Sequence, residues 1–146
     1  MNRFEEFSER LSELMEINGE TVKSLSQKSG IADASIYAYL KNKNIPDIKN
    51  AVLIADCFLC PLNYLFGFCD EYVKKERGVV ETINTRIRLA IDNSGKTRYR
   101  IAKDANIEQQ AVYRWYHGKL TPTLVSLVKL VEPLGCSLDY LAGREE

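Results

Sequence analysis

The side chains best suited to recognising a partner crowd into one short stretch, TRYRIAKDANIEQQAVYRWYHGK, residues 97–119. Gln110, Tyr113, Arg114 and His117 recur three and four residues apart, so a helix there sets them on one face, with Gln109 on its flank. Gln can hold adenine N6 and N7 in a bidentate way, and Arg can do the same to guanine O6 and N7. That chemistry reads hydrogen-bond patterns; it breaks no bond. The other candidate is thiol chemistry at Cys57 and Cys60, a C-x-x-C pair. A zinc site would need two more ligands near by, and the only His, His117, lies in the other half of the chain. Apolar Ala55, Phe58 and Leu62 flank the pair, which points to reduced, structural cysteines. No Ser/His/Asp set, paired carboxylates or phosphate loop occurs. We therefore expect no enzyme, no metal, no cofactor and no small-molecule substrate.

Those recognition residues need a scaffold, and the same stretch supplies one. Thr97 can cap a first short helix, since its hydroxyl accepts an otherwise unpaired N–H. Ile101, Ala102 and Ala105 give that helix an apolar stripe. Asn106 tolerates the left-handed conformation of a tight turn, and Ile107 starts the next segment. Val112, Trp115 and Tyr116 then form the inner face of a second helix, which Gly118 ends. A second helix with such polar residues at its start is what a helix-turn-helix lays in the major groove. Taken alone, this helix also fits an ordinary amphipathic helix with a solvated polar face.

The 146 residues carry no formal net charge, but the charge is unevenly spread. Residues 1–68 hold seven Lys/Arg against nine Asp/Glu, and residues 82–146 hold ten against seven. The positive excess falls in the half with the recognition stretch. No segment is apolar enough to cross a membrane, and MNRFEEFSER has no apolar signal core, so a cytoplasmic protein without membrane partners is expected.

A shift of 76 residues aligns the halves without a gap. Arg10 falls on Arg86, Gly19 on Gly95, Thr21 on Thr97, Ile31 on Ile107 and Tyr37 on Tyr113. Lys43 falls on Lys119, Pro46 on Pro122, Cys60 on Cys136, Tyr64 on Tyr140 and Gly67 on Gly143. Such a period predicts a repeated structural unit. The apolar spacing predicts five helices per half and no strand. In the first half they cover about 3–18, the stretch from Thr21 to Gly30, 33–41, a helix capped by Asp47, and a short one after Pro61. Phe4, Phe7, Leu11, Leu14 and Met15 should line the first; Val22, Leu25 and Ser26 the second; Ile36, Tyr39 and Leu40 the third; Ile48, Ala51, Val52, Ala55 and Phe58 the fourth. In the second half Ile83, Ile87, Ala90 and Ile91 line the first helix, and Leu124, Leu127, Val128, Val131 and Leu134 the fourth. The charged stretch 69–81 should link the halves, either as a short helix or as the first turn of the next.

Each half resembles the phage repressor/Cro, or XRE-type, helix-turn-helix family. In the second half the resemblance rests on I101-A102, I107, V112, G118-K119, P122 and the ending L134-G135-C136-S137-L138-D139-Y140-L141. In the first it rests on G30-I31, I36, P46, I54-A55 and L62-N63-Y64-L65. The resemblance implies an all-α chain of two tandem five-helix, lambda-repressor-like domains, 1–68 and 82–146, with the third helix of a domain entering the major groove. Gln109, Gln110 and Arg114 match its base-reading positions. Arg98 matches a phosphate-binding position at the start of the second helix, and Lys119 one in the loop after the third. For both, plain surface charge is the competing reading. His117 suits a helix C-terminus better than a base contact.

The first half departs from this pattern. Asp33, Ala34 and Ala38 stand where Gln109, Gln110 and Arg114 would, and Ala32 replaces the usual polar cap. Tyr37, Lys41 and Lys43 remain as phosphate contacts. In the second half Glu108 takes the capping position. The expected function is a sequence-specific, repressor-like transcriptional regulator of bacterial or phage type that binds double-stranded DNA, with a homodimer compatible with the resemblance. The alternative is a protein-interaction or dimerisation module, or an antitoxin-like partner, whose first domain does not bind DNA.

Overall fold

A computed structural model describes residues 2–72 and 82–145. The chain divides into two compact units, residues 1–77 and 78–146. Ten α-helices and no strand occur among the described residues.

In the first unit α1 spans Arg3–Ile17, α2 Val22–Ser29, α3 Asp33–Leu40, α4 Ile48–Phe58 and α5 Leu62–Leu65. The side chain of Asn2 caps α1, and Asp47 caps α4 by accepting from the Asn50 N–H. Thr21 and Ser24 cap α2 reciprocally, satisfying donors that a helix start leaves unpaired. The core is Phe7, Leu11, Leu14, Leu25, Ile36, Ile54, Leu62, Leu65 and Phe66. Phe7 stacks on Phe66 at 5.0 Å, and Phe4 meets the same ring edge-on at 6.0 Å. Val22, Ser26 and Val52, expected to face inward, are only half-buried, while Ile54 is fully buried. The buried stripe of α4 is Ala51, Ile54, Ala55 and Phe58, turned slightly from the expected one. A β-branched side chain at the edge of a stripe leaves that rotation open in the sequence.

In the second unit α6 spans Ile83–Ser94, α7 Arg98–Ala105, α8 Gln109–Tyr116, α9 Leu124–Leu134 and α10 Leu138–Leu141. Thr82, Thr97, Thr123 and Ser137 cap α6, α7, α9 and α10 through their hydroxyls. The core is Ile87, Ile91, Ile101, Val112, Trp115, Leu127, Leu130, Leu138 and Leu141. Leu130 is fully buried where Val128, expected inward, is half-buried. Asp139 and Arg144, 1% and 5% exposed, pair at 2.7 Å. Nothing in the hydrophobic pattern announced that buried pair.

The backbone shows where each unit turns. Positive φ occurs at Gly19, Gly30, Asn42, Leu59 and Gly67, and 76 residues on at Gly95, Asn106, Gly118, Gly135 and Gly143. Five turns thus take the same left-handed step in both units, although the residue type changes at three of them. At one, Leu59 holds φ 51° where Gly135 holds 66°. A side chain there costs about 1–2 kcal/mol, because Cβ crowds the following carbonyl.

Of the expected linker, Cys69 to Tyr72 lie against the first unit. Arg10 donates to the Cys69 carbonyl at 2.8 Å and to Asp70 at 2.9 Å, and the Tyr72 ring lies 4.5 Å from that of Tyr64. The rest of the expected linker, 73–81, lies outside the described residues.

Candidate nucleic-acid interface

The site is built on α7, the turn after it, and α8. Asn106 ends α7 in the left-handed conformation, its N–H reaching back to the Ala102 and Lys103 carbonyls. The Ile107 N–H donates to the Ala102 carbonyl at 2.9 Å, closing the turn. Three residues separate α7 from α8. No side chain caps α8, since Glu108 makes no capping bond, so its first N–H groups stay free for an outside acceptor.

Val112 and Trp115 bury the inner face of α8. Tyr116, half-buried, donates its hydroxyl to Asp92 at 2.7 Å and ties α8 to α6. That bond to a carboxylate, then burial, raises the Tyr116 pKa. The Trp115 indole N–H is buried and finds no acceptor among the described residues.

Gln109, Gln110, Tyr113 and Arg114 are exposed on α8, and His117 just beyond it. The Gln109, Gln110 and Arg114 side chains make no hydrogen bond or ion pair among the described residues, so their donors and acceptors are uncommitted. Beside them stands a cation–aromatic cluster. The Arg98 guanidinium lies 4.8 Å from the Tyr116 ring and 5.6 Å from that of Tyr113. Its Nη1 is 3.5 Å from His117 Nε2, and the His117 ring lies 4.4 Å from Tyr113. Lys119 approaches the Tyr113 ring from 5.5 Å. Arg98, Tyr113, His117 and Lys119, separate in the sequence, thus form one group. The rings hold both cations in place without neutralising them. By contrast Asp104 takes up Arg100 at 3.1 Å and Lys96 at 3.8 Å.

Tyr37, Lys41 and Lys43 are exposed in the first unit, as are Asp33 and Ala34, while Ala38 is half-buried. The position of Arg98 is taken by Val22, so no matching cluster forms. Near the start of α2, Glu20 instead bonds to Lys28 and Ser24. Lys28, then Ser24, lower its pKa. Glu20 stands where the second unit has Lys96. Spacing within one half gives no sign of Glu20; only the exchange of sign between the halves does.

Cys57 and Cys60 form no disulfide. Burial, then the charge of Asp56, raises the Cys57 pKa, the reverse of what a reactive thiolate needs. Among the described residues no cluster of His, Cys, Asp or Glu could hold a metal, and no helix is long and apolar enough to cross a membrane.

Residues 87–141 match the family model for a helix-turn-helix. The helix-turn-helix match runs from within α6 to the end of α10 and contains α7, its turn and α8 whole. It supports a DNA-binding regulatory domain of the XRE type in the second unit. No curated protein and no solved structure matches the chain.

Proposed function

We propose that the chain is a sequence-specific transcriptional regulator whose second unit reads DNA by laying α8 in the major groove. One observation carries this reading. Gln110 and Arg114, one helical turn apart, are exposed and uncommitted on α8, next to the unneutralised Arg98–Lys119 cluster. Groups that read base edges would stand beside groups that hold phosphate, the division of labour that protein–DNA contact requires. Repression would follow from occupying an operator, with no chemistry.

In this reading the first unit is a diverged copy that reads no bases. Asp33, Ala34 and Ala38 offer no bidentate contact, and Glu20 sets a carboxylate near the start of α2. Tyr37, Lys41 and Lys43 would at most touch phosphate. That unit would serve as an interaction module, which keeps an antitoxin-like or dimerising role as the second reading for half the chain.

Selection of duplexes from a random pool, followed by titration across salt, tests the proposal. A handful of phosphate contacts gives a log–log slope of about −3 to −5. Failure to enrich any sequence would overturn the reading.

A further inference from the structure

The loop between α8 and α9 carries Lys119, and one side chain on α6 fastens it at two points. Asn84 Nδ2 donates to the Trp115 carbonyl at 3.0 Å and to the Leu120 carbonyl at 2.8 Å. Its Oδ1 accepts from the Thr121 hydroxyl at 3.4 Å. Two carbonyl partners can only face the NH2 of the amide, which fixes its orientation. Trp115 lies in the last turn of α8, and its carbonyl accepts the Gly118 N–H at 3.2 Å as well as the Asn84 amide, one on each lone pair. Leu120 follows Lys119 directly. The amide therefore spans the end of α8 and the loop that bears the cation.

The same position in the first unit is Ser8. Its hydroxyl has one proton and gives it to the Leu40 carbonyl at 2.9 Å. A serine can thus hold the end of the helix, but has no second donor for the loop beyond it.

We infer that Asn84 is a positioning residue for DNA binding: it fixes the 117–121 loop so that Lys119 meets a backbone phosphate in register with α8. This rests on the DNA reading proposed above. Without the latch Lys119 would have to be ordered when DNA binds, and its contact would weaken.

The test uses the full chain with Asn84→Ser, Asn84→Ala, Lys119→Ala and the Asn84→Ser/Lys119→Ala double variant. Asn84→Ser is the safer change, since serine serves at this position in the first unit. Binding to a mixed-sequence duplex is measured across salt, and amide hydrogen exchange is measured on the free protein. We expect exchange of the 118–121 amides to accelerate while α6 and the start of α8 keep their protection. We expect affinity to fall roughly fivefold and the salt slope to shrink by about one, as for Lys119→Ala. The double variant should lose little more than either single one. Unchanged exchange in the loop, an unchanged slope or fully additive losses would each overturn the inference. If the unaltered protein shows no salt-dependent binding, the DNA reading itself falls and the positioning role with it. If it binds and Asn84→Ser binds with the same slope, only the latch is wrong.

Discussion

α3 and α8 have equal length and the same turn before them, yet they present opposite surfaces. α8 shows two glutamines, an arginine and a tyrosine backed by Arg98 and Lys119; α3 shows an aspartate and two alanines around Tyr37. Both bury their inner faces alike, through Val112 and Trp115 or Ile36 and Tyr39. A fold's inner pattern can therefore be kept while its outer chemistry is replaced, because the two faces answer to different demands. The inner one must fill space, and the outer one must match a partner.

The units also differ within their cores, and there the largest effect should appear. The buried Asp139–Arg144 pair of the second unit stands where the first has Asn63 and Phe68. Asp139→Ala leaves a buried guanidinium without its carboxylate, so it should destabilise the second unit by about 3–5 kcal/mol. Thermal unfolding should show one transition moved down and the other left in place. A uniform shift of both would refute the separation of the units.

The outer faces come next. Gln110→Ala or Arg114→Ala should each cost about 1–3 kcal/mol at one or two base pairs, with unchanged melting. Arg98→Ala should weaken all sequences together. If Asp33 or Ala38 substitutions rewrite the preference instead, the reading head lies in the other unit.

A smaller effect tests the shared turn. Leu59→Gly should stabilise the first unit by up to about 1 kcal/mol, since glycine takes positive φ freely. Gly135→Ala should destabilise the second by about as much. A Cβ on Gly135 would meet nothing within 4 Å, so the cost would be purely one of backbone conformation. Chemical denaturation of both variants checks the signs.

The last concerns pH, and it appears only in alkali. Burial, then the charge of Glu145, pushes the Cys136 thiol from an ordinary value of 9.0 up to about 11. The unfolded thiol ionises first. Its stabilising contribution is therefore whole below pH 9.0, declines as pH rises towards about 11, and is gone above that. Cys136→Ala should flatten this decline in a pH series of denaturant midpoints.

In the second unit the bounds of α7 and the start of α9 were legible, because Thr97, Asn106 and Thr123 each mark a boundary by a local mechanism, while α8 ends at Tyr116, two residues before Gly118. The outward set Gln109, Gln110, Tyr113 and Arg114 followed from helical spacing alone. The Arg98–Tyr116 contact did not, since it depends on how α7 packs beside α8. Neither did the Asn84 latch or the Asp139–Arg144 pair, because asparagine and charged residues in an amphipathic stretch read as solvent-facing until a neighbour encloses them. Leu59 gave no signal of a turn, for leucine is not a residue that turns select.

Trp115 is the single tryptophan of the chain, and it sits buried on the inner face of α8. Its fluorescence therefore originates wholly in the second unit. Excited at the red edge of the near-ultraviolet band, where tyrosine absorbs little, the protein carries a built-in lamp for one unit only. Its emission should shift to longer wavelength as that core opens, while circular dichroism records the helices of both. One sample, watched by two detectors, can thus time the loss of α8 apart from that of its counterpart.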